Sequence, residues 1–141
     1  KSSQKGSDGG LEKVVSGRLC DVWLAGEALF AYRQLEKATD ENSVKAFKQI
    51  KRWMDIFCER GPDNIPDTHF KHQGSFSCGS RDGRQATVFE FKGWQARIYG
   101  IQTRHENRRC FIGFRADLSK KQNKANRNKL EVTAKDAAAY I

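Results

Sequence analysis

Hydrophobic and polar residues alternate with two different periods along the chain, and the change of period separates a helical part from a β-rich part. Apolar residues alternate over 19–24, which predicts an opening strand. Over 27–37 they recur at helical spacing. A second helix is predicted to begin at a Thr39 cap and to end at Gly61-Pro62, since glycine and proline terminate helices. Two helices with a short connection form a helical hairpin.

From Ala86 onward the period is two, and three short strands joined by tight loops are predicted between residues 86 and 115. A further short strand is predicted at 69–73. The chain then closes with a basic, later alanine-rich helix over 123–141. The main order is β-α-α-β-β-β-α. We therefore predict an α+β fold, in which a small antiparallel sheet packs on the N-terminal helical hairpin, with a C-terminal helix.

The length of 141 residues and a hydrophobic content of 38% are typical of one domain with a single core. The Gly/Ser/Lys-rich start predicts a flexible segment over 1–18, followed by one domain over 19–141. No stretch approaches the ~20 apolar residues of a membrane span, and the start lacks the apolar centre of a signal peptide. These features predict a cytoplasmic protein.

Cysteine and histidine residues show no arrangement that predicts a metal site. His69, His72 and Cys78 do not fit a zinc spacing and lack a fourth ligand, so no metal or other cofactor is predicted. The cysteines are widely spaced and lie beside apolar residues, which predicts buried free thiols; they are Cys20, Cys58, Cys78 and Cys110.

Positive charge is concentrated at the C-terminal end of the sequence. Residues 84–141 contain 13 Lys/Arg against 5 Asp/Glu, whereas residues 1–83 contain 13 against 12. Most of the formal net charge of +9 therefore lies near the two aromatic-rich strands and the segment that follows them. A localised basic surface beside a sheet is typical of a polyanion site, most often one for nucleic acid.

Three segments, in this order, resemble segments of the RelE/ParE toxin superfamily of type II toxin–antitoxin systems. Residues 21–35, DVWLAGEALFAYRQL, are similar to the family's opening strand and first helix. Residues 94–100, WQARIYG, are similar to its central strand. Residues 111–121, FIGFRADLSKK, are similar to the last strand and basic segment of the HigB and phage-derived branch. The resemblance covers residues 19–141.

The resemblance implies a small basic endoribonuclease that cleaves mRNA, usually on the ribosome, and that a cognate antitoxin protein holds inactive. It places Arg97 on the central-strand arginine and Arg115 near the cation that ends the last strand. Lys120 and Lys121 fall on the lysine pair that follows. Lys121 stands where the RelE branch has a tyrosine, so the chain departs from the pattern that proton transfer by tyrosine needs.

Metal-independent RNA cleavage requires proton removal from the 2′-hydroxyl, charge stabilisation at the phosphate and protonation of the leaving 5′-oxygen. Arginine suits the phosphate, because its planar fork binds two oxygens and keeps its charge. The predicted catalytic residues are Arg97, Arg115, Lys120 and Lys121. The residues predicted to contact RNA are His69, Lys71, Tyr99, Arg109, Phe111, Lys124, Arg127 and Lys129. The three tryptophans, Trp23, Trp53 and Trp94, are assigned to the core rather than to base stacking.

Two alternatives share this fold. A ParE-like toxin inhibits a topoisomerase by binding it, without catalysis, and an inactive nucleic-acid-binding module needs only the basic surface. The cations near Arg97 and Arg115 favour the ribonuclease. This interpretation predicts that the Lys and Arg side chains of 97–129 form one continuous positive surface. It also predicts that Arg97 contributes little to stability.

Overall fold

The computed structural model describes residues 10–118 and 126–141. These residues form a six-stranded sheet with helices packed on both of its faces. In chain order the elements are β1 (Glu12–Ser16), β2 (Cys20–Leu24), α1 (Gly26–Lys37), α2 (Glu41–Arg60), a 3₁₀ turn (Pro62–Asn64), β3 (Phe70–Ser77), β4 (Gln85–Gly93), β5 (Ala96–His105), β6 (Arg108–Asp117), α3 (Arg127–Asp136) and a final 3₁₀ turn (Ala137–Tyr140).

The sheet is larger than the sequence predicted and is mixed rather than antiparallel. Its strands lie in the order β1-β2-β6-β5-β4-β3, and β2 runs parallel to β6 while the other neighbours are antiparallel. The predicted fold class, a small antiparallel sheet on an N-terminal helical hairpin, is therefore wrong. Alternation identifies a strand but not its partners, and β2, buried along its whole length, has a strand on each side.

β1 is an edge strand that the sequence analysis did not predict. It pairs with β2, with Lys13 opposite Trp23 and Val15 opposite Val22. Leu11 and Val15 are buried in the core. The strand has only five residues, so the Gly/Ser/Lys-rich composition of the first 18 residues concealed it.

Each face of the sheet has its own apolar core. On one face, which we call the α1–α2 face, Phe57 of α2 packs among three rings of the sheet. The ring centroids lie 5.5 Å from Phe70, 5.6 Å from Phe91 and 6.5 Å from Phe111. On the opposite face, the α3 face, Leu130 is buried against the strands. The two middle strands, β5 and β6, therefore lie between two helical layers.

The ends of α2 follow from local chemistry. Asp40, rather than the predicted Thr39, caps the helix by accepting a bond from the Ser43 backbone N–H at 3.0 Å. Gly61 ends the helix with φ of 89°, in the left-handed region that favours glycine. This second boundary agrees with the sequence prediction.

A β-bulge in β6 changes which face its last residues occupy. Tyr99 of β5 pairs with Arg115, whereas the next residue, Gly100, pairs with Gly113, so Phe114 is the extra residue. The strands approach closely here, because a Cβ atom at Gly100 would overlap the carbonyl oxygen of Ile112. The bulge brings Arg115 to the α3 face, away from the face of Phe111.

Four buried cysteines contribute to the apolar cores, and all are free thiols. Burial raises the pKa of Cys58 and of Cys110 to about 12, so both thiols remain protonated at neutral pH. Over residues 10–118 and 126–141, no helix has the combined length and apolarity that crossing a membrane requires.

Replacing Phe57 with alanine is expected to destabilise the fold by about 3–5 kcal/mol, because it removes the ring that joins α2 to the sheet and leaves a cavity. Phe30→Ala is the matched control. Phe30 is 72% exposed, and its loss is expected to change stability by less than about 0.5 kcal/mol. Urea denaturation monitored by circular dichroism measures both; similar losses for the two variants would contradict the packing described.

Candidate functional site

Arg97 lies inside the protein in a buried ion pair. Its Nη1 atom is 3.1 Å from Oε2 of Glu90, and each side chain is only 2% exposed. Glu90 occupies the α3 face of β4, since it stands two residues from Val88, which belongs to the core of that face. The Arg97 guanidinium thus has a buried carboxylate partner, which the sequence analysis did not predict.

A cleft of about 440 Å³ lies beside this ion pair. In the strand register Lys71 of β3 stands opposite Glu90, and Lys92 of β4 stands opposite Arg97. Asp67, which precedes β3, also lines the cleft, as does Thr68. Three cations and two carboxylates therefore lie around one cleft at the end of the sheet.

Glu90 is the residue of this cleft that the sequence analysis missed. Burial raises the pKa of its carboxyl above the ordinary 4.5, although Arg97 and Lys71 oppose the shift by favouring the charged form. A carboxylate whose pKa is raised is a stronger base than an ordinary glutamate and is therefore better suited to accept a proton. The signal in the sequence that could have identified Glu90 is an acid within the apolar run Ala86-Thr-Val-Phe-Glu-Phe91.

Arg115 and Lys129 belong to a second set of ion pairs, which joins α1, β6 and α3. Arg115 Nε lies 2.8 Å from Asp136, and its Nη1 lies 3.4 Å from Glu27. The Lys129 ammonium contacts the same Glu27 and lies 3.8 Å from Asp117. These cations therefore hold α3 against the sheet, and carboxylates already compensate their charge.

The carboxyl groups of this network respond to their partners. Burial raises the pKa of Glu27, but hydrogen bonds from Lys129, the Ala116 N–H and Arg115 outweigh it, and the net pKa is lowered. The Asp136 hydrogen bond raises the pKa of Arg115. Both shifts favour the charged forms, which is the pattern of a structural ion pair rather than of a proton-transfer site.

Neither aromatic residue predicted to stack on RNA is accessible. Tyr99 and Phe111 are both 0% exposed. The Tyr99 hydroxyl donates a hydrogen bond to Asp117 at 2.9 Å, and burial together with this acceptor raises the pKa of the phenol. Base stacking on Tyr99 or Phe111 is therefore excluded, because both strands are covered by helices.

The other predicted contact residues are spread around the molecule. The His69 ring stacks on Trp53 with centroids 4.7 Å apart. Arg109 lies on the α1–α2 face and donates to Gln102 at 3.4 Å. Arg127 is paired with Glu131 on the surface of α3. Lys120, Lys121 and Lys124 lie outside the described residues.

These positions correct the prediction of one continuous positive surface over 97–129. Arg97 is buried. Arg109 and Arg115 occupy opposite faces of the sheet, because the bulge at Phe114 reverses the alternation. Among the described residues, Lys71 and Lys92 line one cleft together, between β3, β4 and β5.

No family model, curated protein or solved structure matches the chain. Over 10–118 and 126–141, no group of three or more His, Cys, Asp or Glu side chains is arranged to hold a metal ion. The geometry of the cleft is therefore the basis for inferring a function.

Arg97→Ala is expected to lower the free energy of unfolding by about 3–5 kcal/mol, because it leaves the Glu90 charge buried without its partner. Replacing both residues, with Glu90→Leu and Arg97→Met, is expected to recover much of that loss. Arg109→Ala, on the exposed surface, serves as the control. Equal, small effects of Arg97→Ala and Arg109→Ala in urea denaturation would show that the ion pair does not stabilise the fold.

Proposed function

We propose that this protein is the toxin of a type II toxin–antitoxin system, a metal-independent endoribonuclease of the RelE/ParE type. The observation that carries the proposal is the cleft in which Lys71 and Lys92 flank the buried pair of Glu90 and Arg97. It combines a proton acceptor with cations for a phosphate. The order of the three similar segments adds a second, independent support.

In the proposed reaction Glu90 removes the proton from the 2′-hydroxyl, whose oxygen attacks the adjacent phosphorus. The bond from phosphorus to the 5′-oxygen breaks, and a lysine ammonium of the cleft, assigned to Lys71, protonates that oxygen. The products are a 2′,3′-cyclic phosphate and a 5′-hydroxyl. Lys92 stabilises the charge that develops on the phosphate oxygens.

Arg97 has a different role in this proposal from the one the sequence predicted. Its guanidinium is held by the Glu90 carboxylate instead of by an incoming phosphate, and it fixes the orientation of that carboxylate. Arg97 is thus a positioning residue. Arg115 and Lys129 are assigned to the structural ion pairs of α3.

The proposed setting is the cytoplasm, with mRNA on the ribosome as the substrate and a cognate antitoxin as the inhibitor. Lys71 is exposed and Lys92 half-buried, so an acidic antitoxin segment can reach the cations of the cleft. Such a segment would block the site by occupying the place of the phosphate.

One observation favours the alternative of a ParE-like, non-catalytic toxin. The two arginines predicted to be catalytic, Arg97 and Arg115, are both paired with carboxylates. An inactive nucleic-acid-binding module is favoured by the same pairing. Under either alternative Glu90 serves the fold alone.

Glu90→Gln is expected to reduce RNA cleavage by about 10²- to 10⁴-fold, because it removes the proton acceptor while keeping a hydrogen-bond acceptor for Arg97. The measurement is single-turnover cleavage of labelled mRNA with and without ribosomes, alongside growth arrest on induction. The melting temperature of the variant establishes that it is folded.

Lys71→Ala with Lys92→Ala gives a second variant that leaves the buried pair intact, and Lys135→Ala on α3 is a control that removes one charge away from the cleft. The double variant is expected to lose about 10²- to 10³-fold in rate, and the control to stay near wild type. If the wild-type chain stops growth and binds a topoisomerase but never cleaves RNA, the ParE-like alternative replaces the ribonuclease.

The pH dependence of cleavage provides a further prediction. A proton acceptor must be ionised, so kcat/KM is expected to fall about tenfold per pH unit once the pH drops below the pKa of Glu90. Because that pKa is raised above 4.5, the fall is expected to begin at a higher pH than an ordinary glutamate would give. An unchanged acid limb in a folded Glu90→Gln variant would assign the proton transfer to another group.

A further inference from the structure

Trp94 occupies the tight turn between β4 and β5 in a conformation that tryptophan rarely adopts. Its φ is 54°, in the left-handed region where glycine, asparagine and aspartate are favoured. The sequence assigned Trp94 to the core, but the residue is 39% exposed. A large aromatic ring held in a strained and exposed position indicates a functional constraint more than a packing one.

The turn is fixed in place by α2. The Trp94 N–H donates to Oε1 of Gln49 at 2.8 Å. Gly93 lies so close to the helix that a Cβ atom there would stand 2.8 Å from the carbonyl oxygen of Ala46. The indole is therefore presented by a rigid support, which lowers the entropic cost of binding a ligand.

Among the cations of α2, Lys45 lies over the indole, whereas the Arg52 guanidinium lies 5.4 Å from the centroid of the Trp53 ring. The Lys45 ammonium lies 3.8 Å from the centroid of the Trp94 ring, and Lys48 and Arg52 follow on the same side of the helix at spacings of three and four residues. Each of these three cations is exposed, and none forms an ion pair with a described carboxylate. Like charges at this spacing destabilise a helix, so folding does not explain the group. By contrast, the nearby Lys51 is paired with Asp55 at 2.9 Å.

The same turn adjoins the proposed cleft. Lys92 lines the cleft and stands only two residues before Trp94, a distance of at most about 7 Å along the chain. Lys92 shares the α3 face of β4 with Glu90, whereas Trp94 packs beside α2, so an RNA strand that contacts both passes around the end of the sheet at this turn.

We propose that Trp94 is a stacking subsite for one base of a single-stranded nucleic acid, with Lys45 and Lys48 contacting the adjacent phosphates. This deepens the proposed function, on which it rests for RNA as the natural ligand. On binding, the flexible Lys45 side chain moves from the indole to a phosphate, and a base takes its place on the ring. An acidic peptide would use the lysines alone and has no need of the indole. Stacking accepts any base, so the subsite adds affinity without sequence preference.

Trp94→Asn tests the subsite with little disturbance of the turn, because asparagine tolerates a positive φ. The probe is a short oligodeoxythymidylate, which lacks a 2′-hydroxyl and cannot be cleaved by the proposed reaction. The variant is expected to lose roughly 5- to 150-fold in affinity for it. In the wild type the oligonucleotide is expected to quench tryptophan fluorescence, and in the variant the quenching is expected to disappear.

Two comparisons separate stacking from simple charge attraction. Lys45→Ala and Lys48→Ala are each expected to reduce the slope of log affinity against log salt by about 0.7, whereas Lys135→Ala on the opposite face is not. Poly-glutamate, as an acidic peptide, is expected to bind wild type and Trp94→Asn equally. The proposal is overturned if Trp94→Asn loses affinity for both ligands equally, which would indicate a protein-binding surface. It is also overturned if the variant keeps its affinity for the oligonucleotide, which would indicate that Trp94 binds neither ligand.

Different experimental results would overturn the proposed subsite and the proposed cleavage reaction. If the chain cleaves no RNA but oligonucleotide binding still depends on Trp94, the subsite stands and the ribonuclease proposal falls. If Glu90→Gln abolishes cleavage while Trp94→Asn leaves both KM and oligonucleotide affinity unchanged, the reaction stands and the subsite falls.

Discussion

The helices that cover both faces of the sheet determine where this chain can keep a charge. A lone charge under such a cover costs several kcal/mol, so a charged side chain in the middle of the sheet needs a partner beside it. Glu90 and Arg97 meet this requirement together on neighbouring strands. Arg115 meets it by crossing to the α3 face and pairing with Asp136. The stability of the fold and the chemistry proposed for the cleft thus depend on the same ion pair.

The parts of the fold that the sequence predicted well are those that local chemistry decides. The end of α2 at Gly61 and the alternation of β2 depend on residues within a few positions of one another. The parallel pairing of β2 with β6 joins distant parts of the chain, and no local pattern reports it. The alternation of apolar and polar residues also does not predict the bulge at Phe114. This single extra residue is nevertheless enough to move Arg115 to the other face.

Of the residues predicted to be catalytic, Arg97 lines the cleft, whereas Arg115 belongs to the ion pairs of α3. The partner of Arg97 in this cleft, Glu90, stands on the preceding strand, where the sequence shows only an alternating pattern. A count of charges along the sequence also does not distinguish cations that a ligand can reach from cations that are paired with carboxylates. Arg97, Arg115 and Arg127 are all paired with carboxylates, so these three side chains are not available to a polyanion.

Among the described residues, the cations without a carboxylate partner therefore indicate the position of a polyanion site better than the densest basic segment of the sequence does. Lys71 and Lys92 line the cleft, and Lys45 lies over the Trp94 ring at the adjoining turn. A polyanion gains most where the protein has left positive charge uncompensated, since it need not displace an existing ion pair. The end of the sheet at the β4–β5 turn offers such charge next to an exposed aromatic ring and a carboxylate suited to accept a proton. Binding and chemistry are thus expected to meet at this turn, on elements that contribute little to the charge asymmetry of the sequence.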